Sequence, residues 1–147
     1  MQGSDSDWKF ATILADAAQV SDGKLYILGG GWQIIGPQLT PFALAIIVGV
    51  PWTETNRRHK LVIKLLDADG KEVTLSGAPS PLEISTNFEL GRPPGIVPGT
   101  RLNLPIAINL PPLPLSAGTY EWVWLVNDAK RDDWRVSFAV RSASNQA

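Results

Sequence analysis

The sequence predicts an all-β fold, a two-sheet antiparallel β-sandwich of about nine strands. Three observations predict it. Apolar and polar residues alternate: Leu82, Ile84, Thr86, Phe88 and Leu90 interleave with Glu83, Ser85, Asn87 and Glu89, and Trp134, Val136, Phe138 and Val140 interleave with Arg135, Ser137, Ala139 and Arg141. A period of two seats one face of a strand on a core and leaves the other in water. The runs are short, and Gly or Pro clusters cut them roughly every 8 to 12 residues. The chain has 147 residues and no cysteine. A single domain of that size removes roughly 68–70% of its unfolded surface from water without disulfides or metals.

Strands are expected at 9–15, 24–35, 42–50, 59–67, 72–76, 82–90, 102–110, 119–127 and 133–141. At the first segment, Phe10, Ile13, Leu14, Ala17 and Ala18 also fit a helical face, so strand and helix compete there. Asp22-Gly23 reads as the turn joining the first two segments. Phe42 to Trp52 is the most apolar segment, but it contains Gly49 and Pro51 and is shorter than the ~20 residues of a membrane span. It reads as a buried strand. Asp69-Gly70 sits between Leu61/Ile63/Leu65 and Val73/Leu75 as a hairpin turn should. Gly91-Arg92-Pro93-Pro94-Gly95, Pro98-Gly99 and Pro111, Pro112 and Pro114 mark irregular, stiff connections, because proline fixes φ and lacks a donor. Pro105 interrupts the alternation of Leu102, Leu104, Ile106, Ile108 and Leu110, which places that strand at a sheet edge or a bulge. The polar ends, 1–7 and 142–147, are expected to fray.

Composition narrows the function. Thirteen Lys and Arg against 14 Asp and Glu, with a formal net charge of −1, offer no electrostatic footprint for nucleic acid. Near-neutrality also permits copies to associate. Without cysteine there is no thiolate catalysis or thiolate zinc site. The polar, acidic N-terminus lacks the features of a secretory signal, so a cytoplasmic location is expected, or the virion if the chain is phage-encoded.

Each candidate site stands beside a structural reading. Gly29-Gly30-Gly31 lacks the Lys-Ser/Thr of a phosphate loop and reads instead as a bulge or close backbone approach. Asp67 and Asp69 resemble the start of a calcium loop, and Asp128, Asp132 and Asp133 form a second acidic stretch. Calcium takes about six to eight oxygens, and the spaced carboxylates closing on a Glu are missing. A turn with solvated charges is the preferred reading, and no cofactor or metal is expected. His59 is the only histidine, so multi-His metal sites are excluded. A hydrolase could pair it with Ser and Asp. However, Arg57, Arg58 and Lys60 flank it and no Gly-x-Ser-x-Gly elbow occurs, so it reads as a solvated, basic strand entrance that could steer an acidic partner.

Tyr120, Trp122 and Trp124 share one strand face. Leu115 to Tyr120 resembles the corner of Ig-like sandwiches, where the tyrosine ring packs inward and its hydroxyl bonds nearby backbone. That turns the aromatic row into the core and points Val123 and Leu125 outward. Ala43, Ala45 and Ile47 make the strand at 42–50 apolar on its second face as well. If the two strands share a sheet, these five residues form an exposed apolar patch, a mark of partner contact. Coverage by the N-terminal segment or the proline loops is the alternative.

Ala15-Asp16-Ala17-Ala18-Gln19-Val20 followed by Asp22-Gly23-Lys24-Leu25-Tyr26-Ile27-Leu28-Gly29-Gly30-Gly31-Trp32 resembles the opening of an uncharacterised family of small bacterial and phage-borne proteins. The 67–70 hairpin, the 88–99 proline loop and the 118–120 corner extend the likeness. The resemblance implies an Ig-like or C2-like β-sandwich with strand rather than helix at the N-terminus, and it carries no catalytic residues.

The resulting expectation is a non-enzymatic interaction or structural module. Its partner would be another protein or further copies of itself, within a larger assembly such as a phage particle. Neither nucleic acid nor membrane insertion is expected. The alternative is a carbohydrate or small-ligand binding module using Trp8, Trp32 and Trp52, and hydrolysis around His59 ranks third.

Overall fold

The computed structural model describes residues 7–143, and the outermost polar residues at either end lie outside them. Ten strands form, with no α-helix among the described residues. They are β1 (Lys9–Ala15), β2 (Ala17–Ser21), β3 (Lys24–Leu28), β4 (Ile34–Ile35), β5 (Phe42–Val50), β6 (Arg58–Leu66), β7 (Glu83–Glu89), β8 (Leu102–Leu110), β9 (Gly118–Val126) and β10 (Ala129–Val140). The N-terminal segment is thus extended, as the family resemblance implied.

Three sheets result: β1-β5-β8, β4-β10-β9-β6-β7, and the hairpin β2-β3. All pairings are antiparallel except β4 with β10, which is parallel. The expectation of purely antiparallel sheets is corrected there. The reason lies in the glycines, since the expected strand at 24–35 does not run through. Gly29 and Gly31 have φ of +63° and +94°, angles that glycine adopts without penalty. They turn the chain away from β3, so that Ile34 and Ile35 join the far sheet.

The expected strand at 72–76 is also absent. The Asp69-Gly70 turn closes, with Gly70 N–H donating to Asp67 O at 3.0 Å. A single bridge from Leu66 to Glu72 follows, with Val73 N–H donating to Leu65 O at 2.9 Å and Val73 O accepting from Leu82 N–H at 2.8 Å. Beyond it, Gly77, Pro79 and Pro81 prevent a ladder, and the place beside β6 is taken by β7.

The inward residues of the two large sheets meet in one core. Phe42, Leu44, Ile46, Val48 and Val50 of β5 pack with Leu61, Ile63 and Leu65 of β6, Trp122 and Trp124 of β9, and Trp134 and Phe138 of β10. Rings couple the sheets directly, with Phe10 to Trp124 at 5.5 Å and Phe42 to Trp122 at 6.3 Å between centroids. Trp122 is fully buried. Tyr120 forms the expected corner, donating its hydroxyl to Ser116 O at 2.7 Å. β8 lies at a sheet edge, where the missing N–H of Pro105 leaves no gap in a ladder.

Candidate interaction surface

The five residues expected to form an apolar patch are separated. β5 and β9 lie in different sheets. Ala43 and Ala45 are buried at 0% and 1% exposure, and Ile47 is half-buried. Their cover is the β2-β3 hairpin, which lies against β5 and β8. Alanine suits this role because its small side chain lets a further layer of backbone approach. Ala15 and Ala43 are register partners, as are Ala45 and Ala107. The Asn109 amide fastens the hairpin, accepting from Ala18 N–H at 3.1 Å and donating to Ala18 O at 2.8 Å. Val123 and Leu125 do lie on the far face of the five-stranded sheet. They are half-buried, with Lys64, Arg135 and Lys130 as cross-strand partners, whose alkyl stems can screen apolar surface.

The hairpin moves the apolar surface outward instead of removing it. Leu28 is 71% exposed and Tyr26 53%, with Val20, Ile27 and Ile13 at about 40% beside them. Alternation puts Tyr26 and Leu28 on one face of β3 with Gln19 and Ala17 opposite, and Leu25 and Ile27 on the other with Val20 and Ala18. Ile27 packs toward β1: a Cβ on Gly30 would fall 2.8 Å from Ile27 Cγ2 and 3.1 Å from Ile13 Cγ2. Gly29 and Gly30 are therefore the close approach that the sequence suggested, while Gly31 has open space around it and serves by its positive φ. The turn is two residues, Asp22 and Gly23, both at positive φ, matching the right-handed twist of its strands.

The remaining candidates are taken up by structure. His59 is buried, which corrects the solvated reading. Strand alternation turns it inward with Leu61 and Ile63 while Arg58 and Lys60 stay outside. Asn127 Oδ1 accepts from Lys60 N–H at 2.9 Å, so its amide nitrogen faces His59 and donates to Nδ1, also at 2.9 Å. The other ring nitrogen, as Nε2–H, donates to Glu54 O at 2.7 Å. Both nitrogens are committed, and Trp8 and Phe88 enclose the ring at centroid distances of 4.8 and 5.4 Å.

Trp8, Trp32 and Trp52 are half-buried and do not share a platform. Trp32 packs on Phe42, at the start of β5. Trp8 and Trp52 lie toward its other end, where Lys9 pairs with Gly49. The Arg92 guanidinium stacks over Trp52 at 3.8 Å and bonds Thr55 Oγ1 and Trp52 O. Asp67 Oδ1 accepts from the backbone of Asp69 and Lys71 at 2.9 and 3.0 Å, so that carboxylate oxygen organises the turn. Among the described residues, no group of three or more His, Asp or Glu is placed to hold a metal ion. No helix among them is long and apolar enough to cross a membrane.

Sequence reasoning missed Asn109, Asn127 and Arg92, single polar residues whose partners lie 37 to 91 positions away. No local pattern encodes them. The hairpin did carry a signal, namely five-residue runs either side of Asp-Gly.

The architecture is that of an all-β domain with an apolar hairpin laid across one sheet. The chain belongs to a family of unknown function, DUF6941, whose family model matches residues 11–141. No curated protein matches it.

Proposed function

We propose that this chain is a non-enzymatic interaction module, acting by self-association or as an accessory part of a larger assembly such as a phage particle. It would work in the cytoplasm or the virion. We read its two large sheets as the layers of an Ig-like or C2-like sandwich, and the hairpin as the contact surface mounted on one layer. The carrying observation is the outward cluster of Tyr26 and Leu28 on β3, since contiguous exposed apolar side chains mark contact sites more often than chance exposure does. The commitment of both His59 nitrogens supports the non-enzymatic part. A sugar platform finds less support, because Trp32 lies at the opposite end of β5 from Trp8 and Trp52, Trp8 packs on His59 and Phe88, and Trp52 is stacked under Arg92.

The test compares the full chain with Leu28→Asp by sedimentation and by affinity capture. The reading expects an assembly, with itself or with a captured protein, that the substitution dissolves while the melting temperature holds. A wild-type chain that stays monomeric at about 1 mM, and captures nothing that Leu28→Asp does not, overturns it.

A further inference from the structure

The partner can be specified from the hydrogen-bonding edge of β3. In a hairpin with a two-residue turn, the flanking pair Ser21 and Lys24 exchanges both backbone bonds, and bonded and non-bonded pairs then alternate. The N–H and C=O groups of Ala18 and Val20, and of Leu25 and Ile27, therefore point away from the hairpin on its two sides. On the β2 side, Ala18 is satisfied by Asn109. On the β3 side, the backbone groups of Leu25 and Ile27 find no partner among the described residues.

An open edge is a template for another strand, and proteins usually guard theirs. Most other edges are guarded. β8 carries Pro105, β4 has two residues and β7 alternates charged and polar side chains outward. β1 is closed at its Leu14 end, where Gly31 N–H donates to Leu14 O at 2.8 Å, and the inward side chains of its remaining edge, Phe10 and Thr12, are half-buried, whereas β3 presents the exposed Tyr26 and Leu28. β3 has neither proline nor bulge, and its single charge, Lys24, stands at its end.

Resting on the interaction reading above, we propose that β3 pairs antiparallel with β3 of a second copy of this chain, about a two-fold axis between the two Tyr26 residues. The register follows from which groups are open. Pairing Leu25 with Ile27 of the second copy, and Ile27 with its Leu25, brings all four outward groups of each strand into a ladder. No other antiparallel register joins both open residues of each strand. Tyr26 then faces its own copy in a non-bonded pair, the arrangement that brings side chains closest. Charge complements this register. Lys24 falls opposite Leu28 of the second copy, beside Gly29. The carboxylate of Asp16 lies against that glycine, since a Cβ there would sit 2.3 Å from Oδ2. Among the described residues, neither Lys24 nor Asp16 forms an ion pair within its own chain. A closed two-fold pairing uses both open edges and leaves none to propagate. Two five-residue edges bury less than the ~1,200 Å² of a standard interface, so a dissociation constant in the micromolar range is expected.

The absence of native cysteine makes single-cysteine cross-linking decisive. Under mild oxidation, Tyr26→Cys is expected to form a disulfide dimer, because the two Cβ atoms meet at the axis. Lys24→Cys and Leu28→Cys are expected to stay uncross-linked, since each lies about 13 Å from its own copy. Leu25→Pro removes an N–H that the hairpin itself does not use, and so two ladder bonds per dimer. At a net factor of about five each, sedimentation should show dimerisation roughly thirtyfold weaker. Cross-linking of Leu28→Cys as readily as Tyr26→Cys overturns the register. Absence of Tyr26→Cys dimers, with assembly that still depends on Leu28, overturns self-pairing and leaves the interaction reading standing. A wild-type chain that neither dimerises nor captures a partner removes both.

Discussion

Asn127 shows how one polar side chain can tie a turn to a buried ring. It holds φ of +51° in the β9-β10 turn, a region that asparagine tolerates better than most residues. Its amide joins β6 backbone to the buried His59 ring. Asn127→Ala is expected to lower unfolding free energy by about 2–4 kcal/mol, because it strains the turn and leaves buried groups unpaired. Asn127→Gly should recover only the strain component, and urea denaturation of both variants separates the two. Tyr120→Phe keeps the ring in its stack on Phe138 and removes the hydroxyl bond to Ser116. A loss of about 1 kcal/mol is expected from the same measurement. The Asn127 contacts could not be read from the sequence, where its partners stand 67 and 68 positions away. The tyrosine corner could, because its bond spans four residues.

At the scale of elements, the decisive object is the β2-β3 hairpin. A two-stranded hairpin is marginal in water by itself, so its stability comes from the alanine floor beneath it and from Asn109. Asn109→Ala is expected to speed amide exchange across residues 17–28 by about tenfold while the exchange of β5 and β6 core amides is nearly unchanged. Uniform acceleration would mean that the hairpin is no separate unit. The strand boundaries of β1, β5, β7 and β8 lie within a residue of those expected, since β7 and β8 alternate with period two between Gly or Pro stops and β5 is a continuous apolar run that ends at Pro51. The stretches at 24–35 and 72–76 deceived for a common reason. Their apolar residues pack on the core or the hairpin, but glycine and proline deny their backbones a continuous ladder.

For the whole molecule, the shared core joins both large sheets through the same aromatic residues. Thermal and urea unfolding followed by tryptophan fluorescence and by far-UV circular dichroism should therefore give one coincident transition. Ile46→Ala, at a fully enclosed position, should shift that transition by about 2–5 kcal/mol without splitting it. Two separated transitions would show that the sheets fold independently. Such a cooperative body offers a rigid platform for an apolar hairpin, the property on which the proposed association depends.

Alternation along the chain, turn residues between the runs and the absence of cysteine were enough to determine an all-β protein with Trp122 and Trp124 inside. These are local properties, expressed over a few residues by the pleat of a strand. Only the tertiary structure decided that Ala43 and Ala45 lie under a hairpin, that His59 is enclosed, and that the apolar surface is presented by Tyr26 and Leu28. An apolar side chain records that it avoids water, and not which neighbour covers it. That neighbour is chosen by contacts between segments distant in sequence.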